Sequence, residues 1–150
     1  GLLSDAGTPC VADPGADIVS MAHAKGIRVI PLVGPSSILL ALMASGFNGQ
    51  NFAFLGYLPR ERGQRERTIK DLENKIFRQH QTQIFIEAPY RNNQMLESLI
   101  KTSSATTKIC VATDITLETE LIISDTAENW KKRKEPIDIH KRNTIFLLYK

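Results

Sequence analysis

Small, acidic and hydroxyl-bearing side chains are concentrated near the start of the chain, in Ser4-Asp5-Ala6-Gly7-Thr8-Pro9 followed by Asp13-Pro14-Gly15. Gly7 tolerates a positive φ and lets a ligand approach bare backbone, whereas the prolines restrict the loop to few conformations. The carboxylate of Asp5 can accept a hydrogen bond from a hydroxyl or ammonium group. An Asx turn or a cap on the following helix would use Asp5 equally well. The pattern therefore predicts a rigid loop that holds a ligand or caps a helix.

A second polar cluster, Gly34-Pro35-Ser36-Ser37, follows an apolar stretch at residues 27–32 that predicts a strand. A predicted helix at residues 16–25, stopped by Gly26, gives the order strand–helix–strand. Parallel strands joined in this way end at the same edge of a sheet, where open α/β sheets bind ligands. We therefore expect Ser36 and Ser37 beside the first loop, either as ligand contacts or as ordinary caps of the apolar helix that follows.

Arginine is concentrated directly after Pro59, at Arg60, Arg62, Arg65 and Arg67. Guanidinium groups bind phosphate through paired hydrogen bonds, so this segment suits a nucleic-acid backbone. A solvated helix start is the commoner explanation of such a run of charges. The residues alone leave both interpretations open.

The second half of the chain alternates predicted helices and strands. Glu87 lies near the carboxyl end of a strand predicted at residues 83–88, and Thr113-Asp114 follow a strand at 108–112, so both polar ends face one edge of a sheet. Glu87 is also placed to form an ion pair with Arg91, four residues later. The other predicted elements are an extended segment at 51–59, helices at 68–78, 90–101 and 126–134, and strands at 119–123 and 144–149.

The composition is that of a globular domain, with 150 residues, 42% of them hydrophobic and 23% charged, and a formal net charge of +3. No apolar run in the sequence approaches the roughly 20 residues of a membrane helix, so we expect no membrane partner. The cysteines are far apart and the histidines isolated, so we expect no metal site. GxSxG, P-loop, HExxH and GxGxxG motifs are absent from the sequence, and no catalytic residue is assigned.

The first third supplies too few strands for a covered parallel sheet, so we expect the chain to be part of a longer protein.

Three stretches together resemble the tetrapyrrole (corrin/porphyrin) methylase superfamily: the opening loop, residues 27–37, and Phe54-Leu55-Gly56-Tyr57-Leu58-Pro59. Within it, the chain is most similar to the branch that methylates a cytidine ribose 2′-oxygen in small-subunit ribosomal RNA. The resemblance implies a cytoplasmic, usually homodimeric methyltransferase that uses S-adenosylmethionine. It also implies a two-lobed α/β fold, with a partial parallel sheet in the N-terminal lobe (1–48) and a mixed sheet in the C-terminal lobe (49–150).

Carried over position by position, the resemblance implies cofactor contacts at eight residues: Asp5, Thr8, Ser36, Ser37, Glu87, Ala112, Asn143 and Thr144. It favours the RNA-backbone role for the arginine segment, with ribosomal RNA or the small ribosomal subunit as partner. A ribose hydroxyl needs a base or a polarising contact, for which Glu87 and Asp114 are candidates. Two other hypotheses remain open: methylation of a tetrapyrrole carbon, and a non-catalytic nucleotide-binding module.

Overall fold

The computed structural model describes residues 1–4 and 7–150, so the predicted site residue Asp5 lies outside the described residues. The chain forms two compact units, Gly1–Ser37 and Ile38–Lys150. The first unit contains helix α1 (Ala16–Ala24). Gly26 ends this helix as predicted: it takes a φ of 64° while its N–H bonds the His23 carbonyl and the Ile27 N–H bonds the Ala22 carbonyl. This pair of bonds is the Schellman arrangement, which favours glycine at that position.

The prediction of a strand at residues 27–32 is wrong. This segment pairs with no other described part of the chain. A strand requires a hydrogen-bonded neighbour for its backbone groups, and an apolar pattern does not supply one. Ile30, Leu32 and Val33 are accordingly exposed.

The next helix, α2 (Ser37–Ser45), begins at the junction of the two units. The second unit contains all five strands found among the described residues, together with the remaining helices. In chain order its elements are β1 (Phe52–Tyr57), α3 (Arg62–Gln79), β2 (Thr82–Ile86), a 3₁₀ turn (Pro89–Arg91), α4 (Asn92–Thr102), β3 (Lys108–Thr113), β4 (Leu121–Thr126), α5 (Ala127–Lys132) and β5 (Thr144–Tyr149).

The five strands form one mixed sheet in the order β1-β2-β5-β3-β4. Strands β1 and β2 are parallel, so they need a crossover, which α3 provides. Every other neighbouring pair is antiparallel. The predicted α/β fold class, with a mixed sheet in the C-terminal part, is confirmed.

Both faces of the sheet are covered by helices. On one face, α3, α4 and α5 enclose a core that includes Ile69, Leu99, Trp130, Phe85 and Phe146. On the other face, α2 contributes Ile38, Ala41 and Leu42 to a smaller core with Ile84, Cys110 and Leu147. Successive strand residues alternate between these two cores, as the pleat of a sheet requires.

Three predicted boundaries are corrected by local hydrogen bonds. Helix α3 begins at Arg62, not at residue 68, because the Glu61 carboxylate caps it by accepting from the N–H groups of Gly63 (2.8 Å) and Gln64 (2.6 Å). Strand β4 runs from Leu121 to Thr126, not from residue 119 to residue 123, because these six residues pair with β3. The helix predicted at 90–101 is preceded by the 3₁₀ turn, since Pro89 fixes the entry to α4.

Candidate functional site

The carboxyl ends of β2 and β3 meet the amino end of β5 at one edge of the sheet. In the strand register, Ile86 pairs with Ile145 and Thr113 pairs with Thr144. The hydroxyl oxygens of Thr113 and Thr144 lie 3.0 Å apart. Glu87 follows Ile86 directly, so the register places it beside Thr144. We call Glu87, Asn92, Thr113, Asn143 and Thr144 the strand-end cluster.

Glu87 is held by a buried ion pair. Its side chain is 1% exposed, and its Oε1 accepts hydrogen bonds from Arg91 Nη2 at 2.5 Å and from the Ala88 N–H at 2.7 Å. The hydrogen bond to Glu87 raises the pKa of Arg91. The ion pair that the sequence offered as an alternative role for Glu87 is therefore formed, and the predicted cofactor contact stays a prediction.

Asn92 fastens the start of α4 to the segment that leads into β5. Its fully buried side-chain amide donates toward the carbonyls of Ile139 (3.2 Å) and Arg142 (2.7 Å) and the Thr144 hydroxyl (3.1 Å). Sequence reasoning missed this residue, because its partners lie 47 to 52 positions along the chain. The contacts fix Thr144 and the preceding backbone against α4.

Several polar atoms at this edge are buried without a hydrogen-bond partner among the described residues. They are Glu87 Oε2, Arg91 Nε and Asn92 Oδ1. Leaving such an atom unpaired costs about 1–3 kcal/mol, so buried polar atoms are normally satisfied. All three atoms are shielded from solvent, so a ligand could reach them only after the surrounding side chains moved.

Asp114 anchors the loop between β3 and β4. Its carboxylate accepts hydrogen bonds from Arg142 Nε (2.8 Å), the Thr119 hydroxyl (3.0 Å) and the Asn143 N–H (3.2 Å). Burial acts to raise the pKa of Asp114, but the hydrogen bonds from Arg142 and Thr119 outweigh it and hold that pKa below its usual value. A carboxylate stabilised in this way is a weak proton acceptor, so the geometry favours an anchoring role over that of a base.

Replacing Asp114 with Asn should reduce the free energy of unfolding by about 1–2 kcal/mol at pH 7, because it removes hydrogen bonds to a charged group. Asp114 has a φ of 49°, which Asn also tolerates. A native pKa below the unfolded value of about 3.9 gives stability that is present above that pH and is lost as pH falls through the native pKa. Urea unfolding from pH 2 to 7 should therefore show the two proteins converging below about pH 4. A difference that is constant across this range would contradict the anchoring role.

The other predicted cofactor contacts are distributed over both units. Ala112 is buried in β3 on the face opposite Thr113, within the core against α2. Asn143 is exposed, and its carbonyl accepts from the Asp114 N–H at 2.8 Å. In the first unit, Thr8 is half-buried, Ser36 precedes α2, and Ser37 is the first residue of that helix. The structure thus brings Glu87, Asn143 and Thr144 together at one edge.

The predicted RNA-binding arginines differ in exposure. Arg60, Arg62 and Arg67 are exposed, whereas Arg65 is only 6% exposed. Arg62 forms an ion pair with Glu66 at 2.9 Å across one turn of α3. From the sequence, the four arginines were predicted to form one solvated or RNA-facing run. In the structure, Arg65 instead lies on the buried face of α3.

Other kinds of chemistry find little support in the described residues. No group of three or more His, Cys, Asp or Glu side chains in residues 1–4 and 7–150 is arranged to hold a metal ion. Burial raises the pKa of Cys110 to about 12, against a hydrogen bond to Ser124 that lowers it, so this thiol is not a nucleophile at neutral pH. None of the described helices is long and apolar enough to cross a membrane.

A family model of the tetrapyrrole (corrin/porphyrin) methylases matches residues 2–130. The chain belongs to this family. The resemblance inferred from the opening loop and the two later stretches is confirmed, and the strand-end cluster is part of a tetrapyrrole methylase fold.

Curated relatives in the family carry the name ribosomal RNA small subunit methyltransferase I. The protein of that name from Vibrio cholerae is 35% identical over 121 residues, which cover 81% of this chain and 41% of the relative. The Mesorhizobium japonicum protein is 39% identical over 115 residues, and the Haemophilus influenzae protein is 35% identical over 131 residues. These matches cover 77% and 87% of this chain and 38% and 45% of those relatives. The chain thus spans less than half the length of these relatives.

Solved structures of other proteins share the fold. The methyltransferase CobJ aligns with a TM-score of 0.60 at 18% identity, covering 95% of this chain and 61% of that one. Diphthine synthase aligns with a TM-score of 0.65 at 18% identity, covering 95% and 57%. A uroporphyrin-III C-methyltransferase from Thermus thermophilus, solved with S-adenosylhomocysteine, aligns with a TM-score of 0.51 at 16% identity, covering 96% and 63%. At these identities the likeness establishes the fold alone.

Proposed function

We propose that the protein containing this chain is an S-adenosylmethionine-dependent methyltransferase that modifies a ribose 2′-hydroxyl of small-subunit ribosomal RNA. The observation that carries the proposal is the name shared by curated relatives that are 33 to 41% identical to the chain. The tetrapyrrole methylases that share the fold are less than 20% identical. The ribosomal acceptor is therefore favoured over a tetrapyrrole.

The strand-end cluster supports a cofactor site in this proposal. It lies where the carboxyl ends of β2 and β3 meet, which is the position at which open α/β sheets bind ligands. Asn143 is exposed at the same edge and is held by Asp114 through its backbone. The proposed contacts are those carried over from the family: Asp5, Thr8, Ser36, Ser37, Glu87, Ala112, Asn143 and Thr144.

Bound S-adenosylmethionine supplies an electrophilic methyl group on a sulfonium, which a ribose oxygen can take in one in-line displacement. Alignment at near-attack distance contributes most to such a transfer, so the protein's main task is positioning. Asn92 and the Glu87–Arg91 pair provide a buried, hydrogen-bonded support for the residues beside them. No residue is assigned as the base, and the lowered pKa of Asp114 makes it a poor candidate.

A homodimer in the cytoplasm also belongs to the proposal. Its support is the family resemblance. Sedimentation of the complete protein tests the oligomeric state, and two copies per particle are expected.

Methyl transfer tests the proposed reaction directly. The complete protein is incubated with methyl-labelled S-adenosylmethionine and either unmodified small ribosomal subunits or a precorrin. We expect label only in the ribosomal RNA, released by nuclease digestion as a 2′-O-methylated nucleoside. Label in the macrocycle would show that the acceptor is a tetrapyrrole. Label in neither, together with no binding of S-adenosylhomocysteine, would establish a non-catalytic module.

A further inference from the structure

A cavity of about 300 Å³ lies between the start of α3 and one side of α4. This basic pocket is lined by the four cations Arg60, Arg62, Arg65 and Lys101, by the Glu97 carboxylate and by two neutral polar side chains. Its volume is at the lower end of the roughly 300–1,000 Å³ range of small-molecule sites. The pocket joins the arginine segment to a helix more than thirty positions along the chain.

Arg65 is a buried cation in the wall of this pocket. Its Nε donates to the Ser98 hydroxyl at 3.1 Å and its Nη1 donates to the Arg60 carbonyl at 3.0 Å, so both of these partners are neutral. The ion pairs found among the described residues do not include Arg65. Glu61 and Glu66 interact with it only at longer range.

A guanidinium group stays charged in proteins, and a buried charge is costly unless an opposite charge compensates it. Because Arg65 is 94% buried and lines an open cavity, an anion within that cavity would supply the missing partner. Ser98 donates its own hydroxyl proton to the Gln94 carbonyl at 2.9 Å, which leaves its lone pairs for Arg65 and fixes the guanidinium in place. The buried charge is therefore held in a defined orientation.

Exposed cations complete the pocket. Arg60 and Lys101 are exposed, and neither belongs to an ion pair among the described residues. Arg62 is shared with Glu66, and Glu97 contributes one negative charge, so the pocket keeps a positive balance. The free N–H groups at the start of α3 are not its binding groups, since Glu61 already accepts from two of them.

We propose that this pocket binds one phosphodiester group of an RNA backbone, with Arg65 as its buried anchor and Arg60 and Lys101 as its exposed contacts. The inference rests on the proposed function, which supplies RNA as the polyanion. Guanidinium forks match the oxygens of a phosphate, and a lysine adds a point charge beside them. The site adds Lys101 on α4 to the contacts predicted from the sequence and gives Arg65 a role distinct from that of its neighbours.

The test is fluorescence anisotropy of a labelled 12-nucleotide single-stranded RNA bound to the full chain without cofactor. The variant is Arg60→Gln combined with Lys101→Gln, two exposed positions that can change without disturbing the core. We expect about ten-fold weaker binding at 0.1 M salt. The slope of log affinity against log salt should fall by at most about 0.7, since the pocket holds one phosphate and each phosphate contact contributes about 0.7 on single strands.

A matched control removes one lysine and one arginine from the C-terminal end of α3, as Lys75→Gln combined with Arg78→Gln. Both residues are exposed and lie outside the pocket. This control should bind RNA within about two-fold of the wild type. Equal losses in the two double variants would overturn the proposal, because they would report net charge alone; so would wild-type affinity in the Arg60/Lys101 variant.

Arg65 is examined by Arg65→Lys, which keeps the charge but loses the fork. We expect weaker RNA binding with the salt slope retained, and the melting temperature of this variant separates binding from folding. In wild-type protein, the ¹⁵N signal of Arg65 Nε should shift when the RNA is added and should not shift in the Arg60/Lys101 variant at the same concentration. An Arg65 signal unmoved by saturating RNA would overturn the anchoring role.

Two further ligands distinguish the source of the anion. Inorganic phosphate should compete with RNA only at millimolar concentration, and a poly-glutamate peptide should bind at least ten-fold more weakly than RNA. Micromolar competition by phosphate would identify a free-phosphate site, and equal affinity for the peptide would identify an acidic protein partner. Failure of the proposed function appears separately, as absence of S-adenosylhomocysteine binding and of methyl transfer while the RNA result persists.

Discussion

Phe146→Ala should lower the free energy of unfolding by about 3–5 kcal/mol, the range found when a buried aromatic side chain is truncated. Phe146 is fully buried in β5, the strand that joins β2 to β3. Its ring stacks on Phe85, with centroids 5.8 Å apart, and it pairs with Val111 on the other side. The lower free energy of unfolding has two causes: apolar surface is no longer buried, and a cavity is left in the core between the sheet and helices α3, α4 and α5.

Urea denaturation followed by circular dichroism measures this loss. Phe77→Ala is the matched control, because Phe77 is 45% exposed on α3 and should lose less than about 1 kcal/mol. If the two variants were equally stable, the core described around β5 would be incorrect. The Phe146 variant should also bind S-adenosylhomocysteine more weakly in the complete protein, since the ends of β2, β3 and β5 depend on that core for their spacing.

Glu87→Ala should cost about 3 kcal/mol, because it leaves the guanidinium of Arg91 without its partner in a largely buried setting. The Glu87 side chain is 1% exposed and that of Arg91 is 15% exposed. The substitution also removes the acceptor of the Ala88 N–H. We expect weakened cofactor binding in addition, since the change lies within the strand-end cluster.

A second ion pair with the same spacing provides the control. Glu128 and Lys132 are also four residues apart, but their side chains are 54% and 69% exposed. Exposed pairs contribute about 0–1 kcal/mol, so Glu128→Ala should be nearly neutral. A double-mutant cycle of Glu87→Ala with Arg91→Ala should recover a coupling energy. The cycle of Glu128→Ala with Lys132→Ala should recover almost none. Equal coupling in the two pairs would contradict the burial that the structure assigns to Glu87.

Much of the second unit could be predicted from the sequence, because its strands carry continuous apolar runs between turn residues. The strand predicted at 144–149 is present with the predicted bounds. The segment at 27–32 has an equally apolar pattern, but it pairs with no strand among the described residues. An apolar pattern alone therefore did not predict this segment correctly. Helix ends were misplaced where a side chain, such as Glu61, supplies the cap.

The candidate site was only partly predictable. The position of Glu87 at a strand end and its spacing from Arg91 were visible, and both features are present. Asn92 carried no signal, because its partners come from a segment nearly fifty residues away. The burial of Arg65 did have a signal: Arg65, Ile69, Leu72 and Ile76 recur with the period of one helix face, all four are buried, and the charge of Arg65 obscured the pattern.

The central claim is that the strand-end cluster forms part of a methyl-donor site, and calorimetric titration of S-adenosylhomocysteine into the complete protein tests it most directly. We predict one bound ligand per chain and about five-fold weaker binding for Asn143→Ala, an exposed position whose loss spares the core. Asn74→Ala, an exposed asparagine on α3, should bind like the wild type. Absence of binding, or equal affinity in both variants, would contradict the account.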